Sequence, residues 1–141
     1  GIKSTVIMLK HKFKKYNVQL RKDLDYDLPK IYAFPGELIQ VWTNIIDNAL
    51  DAMEESDQRI LELKSSMDGP CVQIQIIDSG KGIPADVLPK IYDPFFTTKS
   101  QGKGTGLGLD VVQKIIRHHR ADIEVESEPG RTVFTFFFPV E

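Results

Sequence analysis

Gly102-Lys103-Gly104-Thr105-Gly106-Leu107-Gly108-Leu109 sets a glycine at every second position and then runs straight into the helically spaced Val111, Val112, Ile115 and Ile116. Neither regular element can use that alternation. A strand would carry one face without side chains, and a helix interior would lose roughly 1 kcal/mol per glycine relative to alanine. The stretch therefore reads as a loop ending at a helix N-terminus. Bare backbone N–H groups can close around an anion there, and the first helical turn adds unpaired donors and the positive end of its dipole. A plain linker is the rival reading, and the rest of the chain has to decide between them.

The chain has 141 residues, enough for one compact domain with a real core and too few for two comfortable ones. Hydrophobic residues make up 41% and charged residues 27%, and no apolar run approaches the roughly 18 residues of a membrane span. The formal net charge of -2 gives no global electrostatic case for a nucleic-acid partner. Basic charge gathers locally at Lys10, His11, Lys12, Lys14 and Lys15, as at a solvated helix end. The single cysteine, Cys71, rules out an internal disulfide and a cysteine-rich metal site, and reads as a packing residue. With neither an initiator Met nor a signal-peptide pattern, the chain reads as a piece of something longer.

Outward from the glycine run, periodicity predicts the elements. Ile2, Val6, Leu9 and Phe13 suggest the tail of a helix over 2–15. Val18, Leu20, Leu24 and Ile31, on either side of Asp27-Leu28-Pro29, suggest a short hairpin or paired strands. The strongest helical pattern runs from Pro35-Gly36 through Leu38, Val41, Trp42, Ile45, Ile46, Ala49, Leu50 and Met53 to about 56. A strand over 72–77 is broken by Asp78-Ser79-Gly80-Lys81-Gly82-Ile83-Pro84, a helical turn begins at Asp86, and 95–106 shows no period. A helix over 107–118 follows, then strands over 123–127 and 132–138 around Glu128-Pro129-Gly130. The order predicts an α/β two-layer sandwich: a mixed, mostly antiparallel sheet with helices on one face.

Asn44 and Asn48 lie four apart on the long helix, hence stacked on one face. Their amides need partners, which can be backbone groups or a ligand. An amide carbonyl oxygen also suits Mg2+, which takes one or two protein oxygens and leaves phosphates and water to complete its octahedron. Asp78 ends a buried-looking strand beside Gly80 and Gly82. It could close an Asx-turn, or accept a hydrogen bond from an exocyclic amine while a ring slides over bare backbone. Neither the dinucleotide fingerprint nor the P-loop pattern is present.

Four blocks together resemble a known family. Gln40-Val41-Trp42-Thr43-Asn44-Ile45-Ile46-Asp47-Asn48-Ala49 is similar to its N box, Asp78-Ser79-Gly80-Lys81-Gly82-Ile83 to the G1 box, Tyr92-Asp93-Pro94-Phe95-Phe96-Thr97-Thr98-Lys99 to the F box, and 102–109 to the G2 box. These are the motifs of the catalytic and ATP-binding domain of sensor histidine kinases, in the superfamily with gyrase, Hsp90 and MutL. The resemblance implies the Bergerat fold and Mg-ATP. In it Asn48 would hold Mg2+, Asp78 would bind the adenine amine, and Gly80 and Gly82 would admit the base between walls such as Ile83 and Leu109. Gly104, Thr105, Gly106, Leu107 and Gly108 would wrap the phosphates with Lys99 and Lys103, and Thr132 would support the Asp78–adenine contact through water.

The resemblance assigns Asn44, Asn48 and Lys99 to the catalytic set. Hydrolysing relatives carry Glu or Asp at position 44, and Asn44 cannot act as a general base at neutral pH, so the chain should be a phosphotransferase and a weak ATPase. The acceptor would be a histidine on a dimerisation domain, with phosphate passing on to the receiver domain of a response regulator. None of His11, His118 and His119 has the setting of that histidine. His118 and His119 end a helix, where a cationic or capping role fits. On this reading residues 1–16 are the tail of a dimerisation-domain helix and 17–141 the catalytic domain. The fragment would be monomeric, the parent a homodimer, and the domain cytoplasmic, compatible with a membrane-bound sensor. A protein serine kinase of the same fold and a nucleotide-gated interaction module are the alternatives. Asp51 stands where many relatives have a phosphate-contacting Lys or Arg, and Arg120-Ala121 where glycines are frequent.

Overall fold

The computed structural model describes residues 2–94 and 108–141. Helix α1 (Ile2–Lys15) buries Thr5, Leu9 and Phe13, one per turn, on its side facing the next helix. It ends in a left-handed cap: Asn17 sits at φ 54, its N–H bonds Lys14 O at 3.2 Å, and Val18 N–H reaches back to Phe13 O at 2.8 Å. Helix α2 (Pro35–Ala52) starts with Pro at its first turn, where the missing N–H costs nothing, and buries Leu38, Val41, Trp42, Ile45, Ile46, Ala49 and Leu50. Thr43, Asn44, Asp47 and Asn48 form the half-buried stripe beside that apolar face.

Five strands form one sheet in the order β1-β2-β3-β5-β4. They are β1 (Gln19–Asp23), β2 (Ile60–Asp68), β3 (Cys71–Asp78), β4 (Asp122–Glu128) and β5 (Arg131–Pro139). Only β1 and β2 pair in parallel, and the other neighbours are antiparallel. Helix α3 (Gly108–His118) packs beside α2, with both helices against the sheet. Trp42 drives its ring edge-on into Phe136 and Phe138, centroids 5.1 and 6.0 Å away. Buried aromatics of this size are each worth roughly 3–5 kcal/mol against alanine. The helices and sheet form the expected two-layer α/β sandwich, and no described helix is long and apolar enough to cross a membrane.

Three local expectations need correcting. The alternation over 18–31 is no hairpin: β1 takes β2 as its partner, and Ile31 makes only an isolated bridge to Val140. Alternation reports a half-buried strand but not which distant strand it joins. Strand β2 itself was not anticipated, although Leu61 and Leu63 alternate with Glu62 and Lys64 and are fully buried. The long helix stops at Ala52, four residues short of the expected end. Cys71 is a free, half-buried thiol at the start of β3.

Candidate functional site

The sheet's side-chain alternation places the first cluster. On β3, Val72, Ile74, Ile76 and Asp78 share a face, and their partners on β5 are Phe138, Phe136, Phe134 and Thr132. Asp78 and Thr132 therefore replace two apolar residues at the end of the core-facing row. Both are buried, at 5% and 3% exposure. Burial pushes the Asp78 carboxyl up from its ordinary 3.8 to about 6, against the opposing pull of the Gly80 N–H that donates to its Oδ1 at 2.8 Å. The Asx-turn anticipated from the sequence is thus present, and it coexists with a carboxylate near neutrality.

Gly80 and Gly82 shape the loop after Asp78 for reasons inside the protein. A Cβ on Gly80 would lie 2.7 Å from Ala52 O at the end of α2, and one on Gly82, at φ 84, would lie 2.5 Å from Glu128 O at the end of β4. Backbone bonds hold the same contacts: Lys81 N–H to Ala52 O at 3.1 Å and Gly130 N–H to Gly80 O at 2.9 Å. Two serines that sequence reasoning missed complete the loop. Ser79 Oγ accepts from Ile60 N–H at 2.8 Å and donates to Gln58 O at 2.9 Å. Ser127 Oγ accepts from Ile83 N–H at 2.7 Å and lies 2.7 Å from Thr132 Oγ1. Ile83 is itself packed against the core.

The second cluster lies where α2 meets the start of α3. Asn44 Nδ2 donates to Gly108 O at 3.2 Å, and a Cβ on Gly108 would stand 3.8 Å from Asn48 Nδ2, an ordinary contact. Both asparagines are half-buried, so they are not locked in the core. Leu109 packs on the core, and Asp110, in the first turn of α3, is buried. Among the described residues, Trp42 Nε1, Tyr92 Oη and Asp110 Oδ1 are buried atoms without a hydrogen-bond partner. Burial also pushes the Tyr92 hydroxyl up to about 12. Lys99, Lys103, Gly104, Thr105, Gly106, Leu107 and the Phe95-Phe96 part of the F-box pattern lie outside the described residues.

At the far end of α3, Glu37, His118 and His119 bring ligand-type atoms within 4.8 Å of one another. Both ring nitrogens of His119 are occupied: Nδ1 by Ile115 O at 2.8 Å and Nε2 by the Phe34 N–H at 3.0 Å. His118 Nδ1 meets Glu37 Oε1 at 2.8 Å, and its ring stacks on Phe34 at 4.8 Å. The pair latches the end of α3 to the start of α2, and the group reads as structural. Arg120 adopts φ 54 in the cap that ends α3, with Ala121 N–H bonded to Ile116 O at 3.0 Å and Arg120 N–H to Arg117 O at 3.0 Å.

Residues 35–141, which carry the sheet strands β2 to β5, α2, α3 and both clusters, match one family model, that of the histidine kinase-, DNA gyrase B- and HSP90-like ATPases. The chain belongs to that family. It is 40% identical over 140 residues to sporulation kinase E of Bacillus subtilis, covering 99% of this chain and 19% of that protein. It is 42% identical over 124 residues to the sensor histidine kinase ZraS of Escherichia coli K12, covering 87% of this chain and 26% of that protein. The chain thus spans about a fifth to a quarter of these relatives.

Among solved structures, the nucleotide-free catalytic domain of histidine kinase ThkA superposes with a TM-score of 0.85 at 32% identity, covering 98% of this chain and 89% of that one. ThkA in complex with the response regulator TrrA gives a TM-score of 0.81 at 28% identity, covering 99% of this chain and 39% of that one. Membership of the ATPase family makes this an ATP-site domain of the histidine-kinase type. It also accounts for the α/β sandwich.

Proposed function

We propose that this chain is the ATP-binding catalytic unit of a sensor histidine kinase. The γ-phosphoryl of ATP moves to an imidazole nitrogen of a histidine on a dimerisation domain: the bond from the γ-phosphorus to the β,γ-bridging oxygen breaks, the P–N bond forms, and ADP leaves. Phosphate then passes to an aspartate on a response regulator. The observation that carries this reading is the layout of the two clusters. A near-neutral buried carboxylate sits in line with Thr132 at one end, and two asparagine amides abut the glycine-led start of α3 at the other.

In this reading Asp78, ionised above about pH 6, accepts a hydrogen bond from the adenine amine, and Thr132 supports the contact. Ile83 and Leu109 wall the base, and Gly80 and Gly82 keep the loop low beside it. Asn48 offers an amide oxygen, the donor type a hard divalent cation takes, and would hold Mg2+, whose charge offsets that of the phosphates. Gly104, Thr105, Gly106, Leu107 and Gly108 wrap the triphosphate, with Lys99 and Lys103 contributing charge. Asn44 commits its amide to Gly108 O and offers no basic group, so nothing at that position draws a proton from water. That favours transfer over hydrolysis.

His119 has both nitrogens engaged and His118 is paired with Glu37, which fits an acceptor histidine outside these residues. Residues 1–16 serve as the tail of the dimerisation helix and 17–141 as the catalytic domain. The working protein is a cytoplasmic-facing homodimer. The test is calorimetric: Asn48→Asp and Asp78→Asn should each abolish measurable Mg-ATP binding, and unchanged affinity in either overturns the site assignment.

A further inference from the structure

Asp78, Thr132 and Ser127 stand in one row across three strands: Asp78 pairs with Thr132 between β3 and β5, and Thr132 pairs with Ser127 between β5 and β4. Directly opposed residues on one face have Cβ atoms about 4.5–5.5 Å apart, so each can act on the next. Ser127 also holds the loop after β3, because its Oγ accepts the Ile83 N–H at 2.7 Å. Among the described residues its other side-chain contact is the 2.7 Å bond to Thr132 Oγ1.

A hydroxyl has one proton and two lone pairs. With one lone pair of Ser127 taken by Ile83, the serine either donates its proton to Thr132 or accepts the proton of Thr132. An anionic carboxylate on the other side of Thr132 favours the first arrangement, in which the threonine proton is turned toward the Asp78 side of the row. We propose that Ser127 is a positioning residue for base recognition, orienting the Thr132 hydroxyl and tying the Ile83 wall to it. This rests on the reading of Asp78 and Thr132 as adenine contacts. Ser127 touches no substrate itself. Its effect is on base identity, since a misdirected hydroxyl blurs the difference between a base with an exocyclic amine and one with a carbonyl in its place.

The test compares ATP with ITP, which exchanges that amine for a carbonyl, by calorimetry on the 141-residue chain, with the thermal midpoint of the nucleotide-free protein as the fold control. In Ser127→Ala the ITP/ATP ratio of dissociation constants should fall roughly tenfold, the scale of one lost hydrogen bond in a discriminating site, and Ser127→Thr should restore it. Ser127→Cys, close in size and poor in hydrogen bonding, should lose discrimination as alanine does and serves if the alanine variant does not fold. A lowered melting midpoint with the ratio unchanged in the folded variants overturns the proposal, because a merely structural serine would behave so. Asp78→Asn separates the two ideas. If it binds ATP as the wild type does, the adenine reading itself fails. If it loses ATP binding while Ser127→Ala keeps the wild-type ITP/ATP ratio, only the role of Ser127 fails.

Discussion

The two ends of the site use glycine for opposite reasons. Around Asp78, glycine is required by the protein: side chains at positions 80 and 82 would run into the backbone of Ala52 and Glu128. At the start of α3, a side chain on Gly108 would meet, among the described residues, Asn48 alone, at ordinary contact distance. The loop after Asp78 is therefore a packed piece of the fold that starts at a buried carboxylate, whereas the described neighbours of Gly108 leave room for a side chain.

The largest expected effect follows from that contrast. Gly82→Ala combines a left-handed backbone with a clash at 2.5 Å, and should cost about 3 kcal/mol or more, lowering the thermal midpoint by about 10 °C. Gly108→Ala should leave the midpoint within about 2 °C, since alanine suits a first helical turn, while weakening ATP in calorimetry. A loss of stability of equal size in both variants would dissolve the distinction.

An intermediate effect concerns pH at Asp78 alone. Because the folded Asp78 carboxyl titrates near 6 and the unfolded one near 3.8, its contribution to stability is present below pH 3.8 and is lost as pH rises through 6. The loss is on the order of 2–3 kcal/mol. Asp78→Asn should therefore melt higher than the parent at pH 7.5 without nucleotide, with the gap closing toward pH 4. Nucleotide binding has the opposite slope: the ionised form accepts the adenine amine, so the affinity for adenosine, which has no phosphate to titrate, should fall as pH drops from 7 to 5. A flat midpoint difference across that range would place the carboxyl outside the low-polarity setting described above.

The smallest effect tests whether the two ends are insulated from the rest of the helix layer. Arg120→Gly relieves a left-handed residue in the cap of α3 and should raise the midpoint by a few degrees at most, roughly 0–1 kcal/mol. ATP affinity should not change. A shift in affinity would mean that the far end of α3 reports to Gly108.

Sequence reasoning reached the helix layer and the three strands β3, β4 and β5 because their apolar residues repeat at fixed steps. It failed at β1 and β2, where the information is which strand lies next to which. Gln19 and Ile60 are neighbours through a long connection, and no local pattern encodes that pairing. The candidate site followed a similar division. Asn44, Asn48 and Asp78 stand out in the sequence by residue type and position, and Thr132 through the family resemblance. Ser79 and Ser127 do not, since a serine in a turn or strand is ordinary until its partner is known. The packing role of Gly80 and Gly82 was hidden too, because their neighbours, Ala52 and Glu128, come from elements far apart in the chain.

The crowding of α2 has a practical consequence for anyone surveying variants of this domain. One side of the helix meets the sheet through Trp42, another receives α1 through the Lys12–Asp47 ion pair at 2.9 Å, and a third offers Asn44 to Gly108. Between positions 38 and 50 the one exposed residue is Gln40. In a saturation library the positions from 38 to 50 should form the longest intolerant block of the chain, and solubilising or labelling changes belong on the outer face of α1 or the exposed edge of β1.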